Sequence, residues 1–244
     1  MKAVKRVVQI IVAISALAGV VAFIAERFEK PNAHKPYGVY EKYIKRPLDA
    51  FLATGALIVF SPVLLITALL VRIKLGKPVI FEQERPGRNE KIFKLYKFRS
   101  MTDARNENGE LLTDEERLTP FSRALRASSL DELISLINIV KGDLAIVGPR
   151  PLLVRYLPYY TAEERHRHDI RPGLTGLAQV KGRNCITWEQ KFKWDSLYVG
   201  HVTLRTDVSI LLKTIRTVFL HDGVKINAVE DFDVYRRKAA SSHI

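Results

Sequence analysis

Apolar positions fall into two long runs near the N-terminus and then break up into short periodic segments. Val7 to Ala25 carries no charge and is long enough to cross about 30 Å of hydrocarbon as a helix. Lys2, Lys5 and Arg6 ahead of it, and the small residues within Ala22 to Ala25, also fit a secretory signal peptide. The run is long and no small-x-small site follows, so a transmembrane helix is expected. The second run, Leu48 to Val71, has Asp49 near its start and Ser61-Pro62 at its middle. Proline removes a backbone donor and collides with the preceding turn, which predicts a break near Phe60. The result is either a kinked span or two half-length helices that enter and leave by one face. Charge discriminates between them. Arg27, Lys30, Lys35, Lys42, Lys45 and Arg46 lie between the runs and outnumber the bases before the first. Positive flanks stay cytoplasmic, so the re-entrant form is favoured, with the linker and everything after Val71 inside.

Beyond Arg72 the pattern is that of a compact α/β domain. Pro78–Gln83 and the alternating Lys91–Phe98 predict two strands joined by the turn Glu84-Arg85-Pro86-Gly87-Arg88-Asn89. Residues 104–114 predict an exposed loop, and 119–126 a short helix with Pro120 in its first turn. Leu130 to Val140 predicts a strongly buried helix and Leu144 to Val147 a brief strand. Further helices are expected at 162–168 and 188–199. Leu204 to Leu220 predicts an amphipathic helix that packs on the domain or lies on anionic lipid.

Composition adds two constraints. A formal charge of +13 on 244 residues calls for an anionic partner: nucleic acid, anionic lipid or a phosphorylated substrate. The 47% hydrophobic content argues against a nucleic-acid arm. The one cysteine, Cys185, excludes an intramolecular disulfide framework and fits a reducing compartment.

The candidate chemistry lies between Arg126 and Leu152. Ser129-Leu130-Asp131-Glu132 matches a capping box, in which the acids would only complement a helix dipole. Its neighbours favour a functional reading: Arg126 upstream, Asn138 and Lys141-Gly142-Asp143 at the helix end, then Gly148-Pro149-Arg150-Pro151. Prolines on both sides of Arg150 present a guanidinium to phosphate with little ordering cost. One carboxylate of the pair suits a nucleophile on phosphorus, and its neighbour suits Mg²⁺, a hard cation that takes carboxylate and phosphate oxygens. Lys97 and Arg99 alternate with apolar residues, placing both on one strand face that either lines the same anionic site or is simply solvated. The turn-rich stretch from Arg171 through Gly182-Arg183-Asn184 is either a ligand-approaching loop or a plain one. His166 and His168 lack metal-ligand company and read as helix surface. Trp188 and Trp194 read as core or interfacial residues.

Taken in order, Lys45-Arg46-Pro47-Leu48-Asp49, the Ser61-Pro62 break, Tyr96-Lys97-Phe98-Arg99-Ser100-Met101, Ser129-Leu130-Asp131-Glu132-Leu133, Lys141-Gly142-Asp143, Val147-Gly148-Pro149-Arg150-Pro151-Leu152 and Arg171-Pro172-Gly173-Leu174-Thr175-Gly176 resemble the bacterial sugar transferase family, the small monotopic phosphoglycosyl transferases. The resemblance covers about residues 38 to 222. It implies transfer of a phosphosugar from a UDP-sugar to undecaprenyl phosphate, with UMP released and Mg²⁺ required. The site would be on the cytoplasmic face of the bacterial inner membrane, in contact with its lipid. By the same resemblance Asp131 is the nucleophile and Glu132 the second acid, both at the metal. Lys97, Arg126, Arg150 and Arg183 handle substrate, Arg99 joins them by its strand position, and Ser61 and Pro62 make the re-entrant break. Leu177 and Lys181 depart from the family's usual residues, which bears on the sugar.

The implied fold class is a membrane-associated α/β protein. A transmembrane segment and basic linker (1–37) and a re-entrant helix (38–72) precede a compact, mainly helical catalytic domain with a short β-hairpin (73–225) and a tail (226–244). The rival reading is a non-catalytic, membrane-attached scaffold that gathers anionic lipid or partners. A nucleic-acid binder ranks third, since no reading motif is recognisable. The sequence leaves the sugar, the glycan pathway and the oligomeric state open, a homo-oligomer included.

Overall fold

The structure, a computed structural model, describes residues 13–15, 17–21, 24, 34–182, 186–219 and 230–241. The span expected over Val7–Ala25 lies largely outside them. Its described part is helical, and a Cβ on Gly19 would stand 3.2 Å from the Pro47 carbonyl, so this helix rests on the next one. A π-helical turn, Tyr40–Ile44, leads into α1 (Lys45–Val59), which is followed at once by α2 (Ser61–Lys74). Among the described residues no single helix is long and apolar enough to cross a membrane. The pair Tyr40–Val59 and Ser61–Lys74, bent by 65°, passes by length and composition together. The break falls where proline predicts it. Pro62 has no N–H for the Ile58 carbonyl, and the Ser61 hydroxyl donates to that carbonyl instead at 2.8 Å. Leu52, Val59, Phe60, Leu65, Ile66, Leu69 and Ile73 stand exposed on the bent pair.

The base of α1 is tied into the rest of the chain by buried charge. Lys45 Nζ donates to Asp207 at 2.5 Å, and the hydroxyls of Tyr40 and Tyr198 donate to the same carboxylate at 2.7 and 2.6 Å. Arg46 donates to the carbonyls of Ile139 and Val140 at 2.6 and 2.9 Å, satisfying the open C-terminal end of another helix. Removing one member of such a network would strand the others in a medium that cannot solvate them.

A hairpin forms from β1 (Ile80–Pro86) and β2 (Ile92–Phe98), antiparallel with Gln83 opposite Leu95 and Phe81 opposite Lys97, so Glu84, Arg85 and Pro86 of the expected turn are strand. Next come α3 (Pro120–Ala127), capped by the Thr119 side chain, and a 3₁₀ segment, Leu130–Ser135, that runs into α4 (Leu136–Lys141). The expected continuous α-helix over Leu130–Val140 is therefore split. Ser129 is left-handed (φ 57°) and caps nothing with its side chain, so the capping box does not form. The link from α3 is so short that the chain must reverse at Ser129.

The remainder comprises β3 (Ala145–Val147), α5 (Ala162–Arg165), β4 (Gly173–Thr175), α6 (Leu177–Gly182), α7 (Trp188–Gly200), α8 (Leu204–Phe219) and α9 (Phe232–Ser241). The glycine-rich stretch after Arg171 is thus partly a strand, paired parallel with β3. A Cβ on Gly148 would meet the Arg171 carbonyl at 2.5 Å, so only glycine permits these two backbones to close. His166 is exposed against Asp169, but His168 is buried, with its ring edge-on to Tyr160, and does not lie on the surface. Trp188 is core, and Trp194 is half-buried under Lys181.

Candidate active site

The end of the 3₁₀ segment carrying the acid pair and the helix α4 that follows it are hydrogen-bonded to β2 by side chains. Ser135 Oγ donates to the Tyr96 carbonyl at 2.6 Å. Asn138, fully buried, accepts from the Tyr96 N–H at 3.0 Å and donates to the Lys94 carbonyl at 2.8 Å. These bonds satisfy an edge that would otherwise be unpaired. They also set the register that puts Glu132 against Lys97, whose side chain shares a sheet face with Phe81, Gln83 and Leu95.

Lys97 Nζ donates to Glu132 Oε1 at 2.7 Å, and Arg150 donates to the same oxygen at 2.8 Å. Among the described residues a single Arg150 nitrogen is engaged, and the side chain stays 43% exposed. Burial pushes the Glu132 carboxyl up, but Arg150 and Lys97 outweigh it and hold the group well below the usual carboxylate range. Asp131 is in the opposite state. Burial first, then the charge on Glu132, raises it to about 6, against the pull of Lys97 and Arg126. It makes no ion pair with a described residue. One acid of the pair is held ionised by two bases; the other is buried, without an ion pair among the described residues, and raised to about 6.

The remaining sequence candidates divide. Arg126 acts electrostatically on Asp131, with its Nε on Ser100 Oγ at 3.0 Å. Arg99 does not join the cluster. It is buried, donates to the carbonyls of Met101 and Lys77 and pairs with Asp103, which holds the strand's exit. Arg183 lies outside the described residues. Ser61 and Pro62 lie in the bend of the α1–α2 pair and belong to its geometry rather than to this cluster.

Arg85 was missed by sequence reasoning, which treated it as turn chemistry. It lines the cleft with Lys97, Glu132, Arg150, Pro151 and Leu174. It reaches Gln83 at 2.6 Å and the Pro151 carbonyl at 3.3 Å, while its buried Nε has no partner among the described residues. Burial, and then Arg150, lower it to about 10. The available signal was alternation, since Gln83 and Arg85 lie on the same strand face as Lys97. Lys191 was missed as well; burial, with Arg167 and Arg150 nearby, lowers it to about 8. Arg150 thus repels Arg85 and Lys97 beside Glu132, an arrangement that favours a multiply charged anion.

No cluster of three or more potential metal ligands occurs among the described residues. The two adjacent carboxylates at the basic cleft offer oxygen donors alone, the chemistry Mg²⁺ takes when substrate phosphates complete its shell.

The pattern of the bacterial sugar transferase family matches residues 40–221. The chain is 48% identical over 182 residues to the uncharacterized sugar transferase EpsL of Bacillus subtilis (strain 168), covering 75% of this chain and 90% of the relative. It is 35% identical over 199 residues to the undecaprenyl-phosphate galactose phosphotransferase of Salmonella typhimurium (strain LT2), covering 75% and 42%. It is 34% identical over 195 residues to the UDP-N-acetylgalactosamine-undecaprenyl-phosphate N-acetylgalactosaminephosphotransferase of Aeromonas hydrophila, covering 75% and 45%. The chain spans most of the first relative and less than half the length of the other two.

Proposed function

The chain belongs to the bacterial sugar transferase family and is a phosphoglycosyl transferase, and on that premise we propose that it moves a phosphosugar from a UDP-sugar to undecaprenyl phosphate, at the cytoplasmic face of a bacterial inner membrane. The observation that carries the mechanism is the divergence within the acid pair. A nucleophile must be ionisable yet free, as Asp131 is, whereas Glu132 is held by two bases.

In the first step an Asp131 carboxylate oxygen attacks the β-phosphorus as the bond to the UMP oxygen breaks. UMP leaves with the bonding pair, and a phosphosugar remains on Asp131 as an acyl phosphate. In the second step a phosphate oxygen of undecaprenyl phosphate attacks that phosphorus. The Asp131 carboxylate is released, and the product is an undecaprenyl diphosphate sugar. Incoming phosphates compete with Glu132 for Arg150 and Lys97, which turns both bases toward substrate and frees the Glu132 oxygens. Carboxylate oxygens of Asp131 and Glu132 would hold Mg²⁺, which, when bound, neutralises phosphate charge that otherwise repels an anionic nucleophile.

The test is a panel of UDP-sugars, beginning with UDP-galactose and UDP-N-acetylgalactosamine, assayed for UMP release with and without undecaprenyl phosphate. Absence of UMP release with every donor would refute the assignment and leave the scaffold reading. Within that assay Arg85→Lys should raise KM for the donor and lower kcat/KM by roughly ten-fold, the scale of losing one or two charge-assisted hydrogen bonds. An unchanged KM would remove Arg85 from the site.

The bent helix pair supplies the membrane address. Its broad apolar exposure suits lipid, and a 65° bend lets both ends return to one face. Cysteine-accessibility labelling should find position 40 and positions beyond 74 on the cytoplasmic side. Pro62→Ala should straighten the break and reduce activity several-fold. Periplasmic labelling at position 40 would establish a full span instead.

A further inference from the structure

We propose that residues 230–241 form a buttress for the loop that presents Arg150, and that Phe232 is a positioning residue for that guanidinium. The segment lies beyond residue 221, where the family match ends. The inference rests on the phosphoglycosyl transferase reading.

Phe232 is fully buried in a cage of Tyr156, Tyr160, Trp188 and Phe192. It stacks on Tyr160 at 5.3 Å and 27° and meets Phe192 and Tyr156 edge-on at 5.0 and 5.6 Å. Polar contacts at the cage rim fix the segment's entry. The Trp188 indole N–H donates to the Glu230 carbonyl at 3.0 Å, the Tyr156 hydroxyl to Asp231 at 2.8 Å, and Arg155 pairs with Asp231 at 2.5 Å.

From the cage the contacts lead directly to the site. Arg167 donates to the Tyr160 hydroxyl at 3.0 Å and lies over the rings of Tyr160 and Phe192 at 5.7 and 5.5 Å. Its second terminal nitrogen donates to the Arg150 carbonyl at 2.7 Å and to Asp195, which Nε also reaches. Arg167 is therefore a strut between the cage and the Pro-Arg-Pro loop, and its ring contacts are complete only while Phe232 backs Tyr160. Leu152, two residues past Arg150, is itself a wall of the cage. The same cage seats Lys191, whose Nζ lies 3.8 Å from the Trp188 ring centre. A charged group held by stacking and a strut loses its aim when the backing is removed, even with every site residue intact.

The experiment is a double-mutant cycle on the full chain in membranes, using UMP release from whichever UDP-sugar the wild type accepts. Phe232→Ala, and Phe232→Leu as the milder variant that keeps much of the volume, should lower kcat/KM by roughly ten- to a hundred-fold and four-fold respectively. Phe232→Tyr should retain most of the activity. In an Arg150→Lys background the same changes should cost little more, because the group they aim is already gone. Multiplicative losses would show that the tail only stabilises the fold and would overturn the proposal, as would wild-type rates in Phe232→Ala. A wild type that releases no UMP would instead defeat the transferase reading on which the inference stands.

Discussion

Asp131→Asn is expected to abolish turnover and also the stoichiometric UMP release expected of the unaltered enzyme without acceptor. If Asp131 attacks phosphorus, enzyme and UDP-sugar with Mg²⁺ should release about one UMP per active site and stall, and intact mass should show a phosphosugar adduct at residue 131. Glu132→Gln should retain the capacity for adduct formation at a lower rate, with weakened metal use, because its carboxylate is engaged by bases rather than free. UMP release only when both substrates are present, with no adduct under any condition, would mean direct transfer. The pH profile follows from the raised Asp131. Attack requires the carboxylate, so the first half-reaction should rise with pH through about 6 and then level.

The same residue should carry a stability signature. Its pKa is raised on folding from 3.8 to about 6, so the folded chain holds that proton more tightly than the unfolded chain between those values. The contribution is most favourable below the unfolded value and is lost as pH rises through about 6. At neutral pH the buried charge costs up to about 3 kcal/mol. Asp131→Asn should therefore raise Tm at neutral pH in metal-free buffer, and the gain should vanish below about pH 4. A Tm gain independent of pH would refute this assignment. The dead variant is thus expected to be the more stable protein, which separates lost chemistry from lost folding.

Arg150→Lys carries the second large effect. Lysine preserves the charge and the Glu132 pairing but not a planar fork, and only one nitrogen of Arg150 is engaged by Glu132. Activity should fall by roughly a hundred-fold or more, the scale of losing one preorganised donor to developing phosphate charge. Near-full activity would show that charge alone suffices at this position.

Much of the site was legible because its chemistry is local. Asp131 and Glu132 are neighbours, the prolines flank Arg150, and Lys97 lies on a strand whose alternation is plain. Arg99 misled because alternation assigns a face only within a strand, and Arg99 lies just past the end of β2, where the carbonyls of Met101 on the exiting chain and of Lys77 ahead of β1 take its guanidinium. Arg85 went unread because its partners, Pro151 and the cleft, come from distant sequence. The split of the helix after Ser129 was hidden for a similar reason. The pattern Ser-x-x-Glu describes a cap only if serine is extended, and the short link from α3 forces it left-handed.

By itself the sequence determined the elements and their punctuation: the broken apolar run at Pro62, the hairpin, the buried periodicity of 130–140 and the rigid arginine turn. These follow from steric and periodic rules that act within a few residues. Tertiary structure decided which charges meet. It placed Lys97 and Arg150 on one Glu132 oxygen, left Asp131 without an ion pair among the described residues, and tied α1 to the rest of the chain through Lys45, Arg46 and Asp207. It also converted Gly173–Thr175 from turn to strand and packed Phe232 in one cluster with Leu152, two residues past Arg150. Burial and the sum of neighbouring charges set those outcomes, and both depend on residues far apart in the chain.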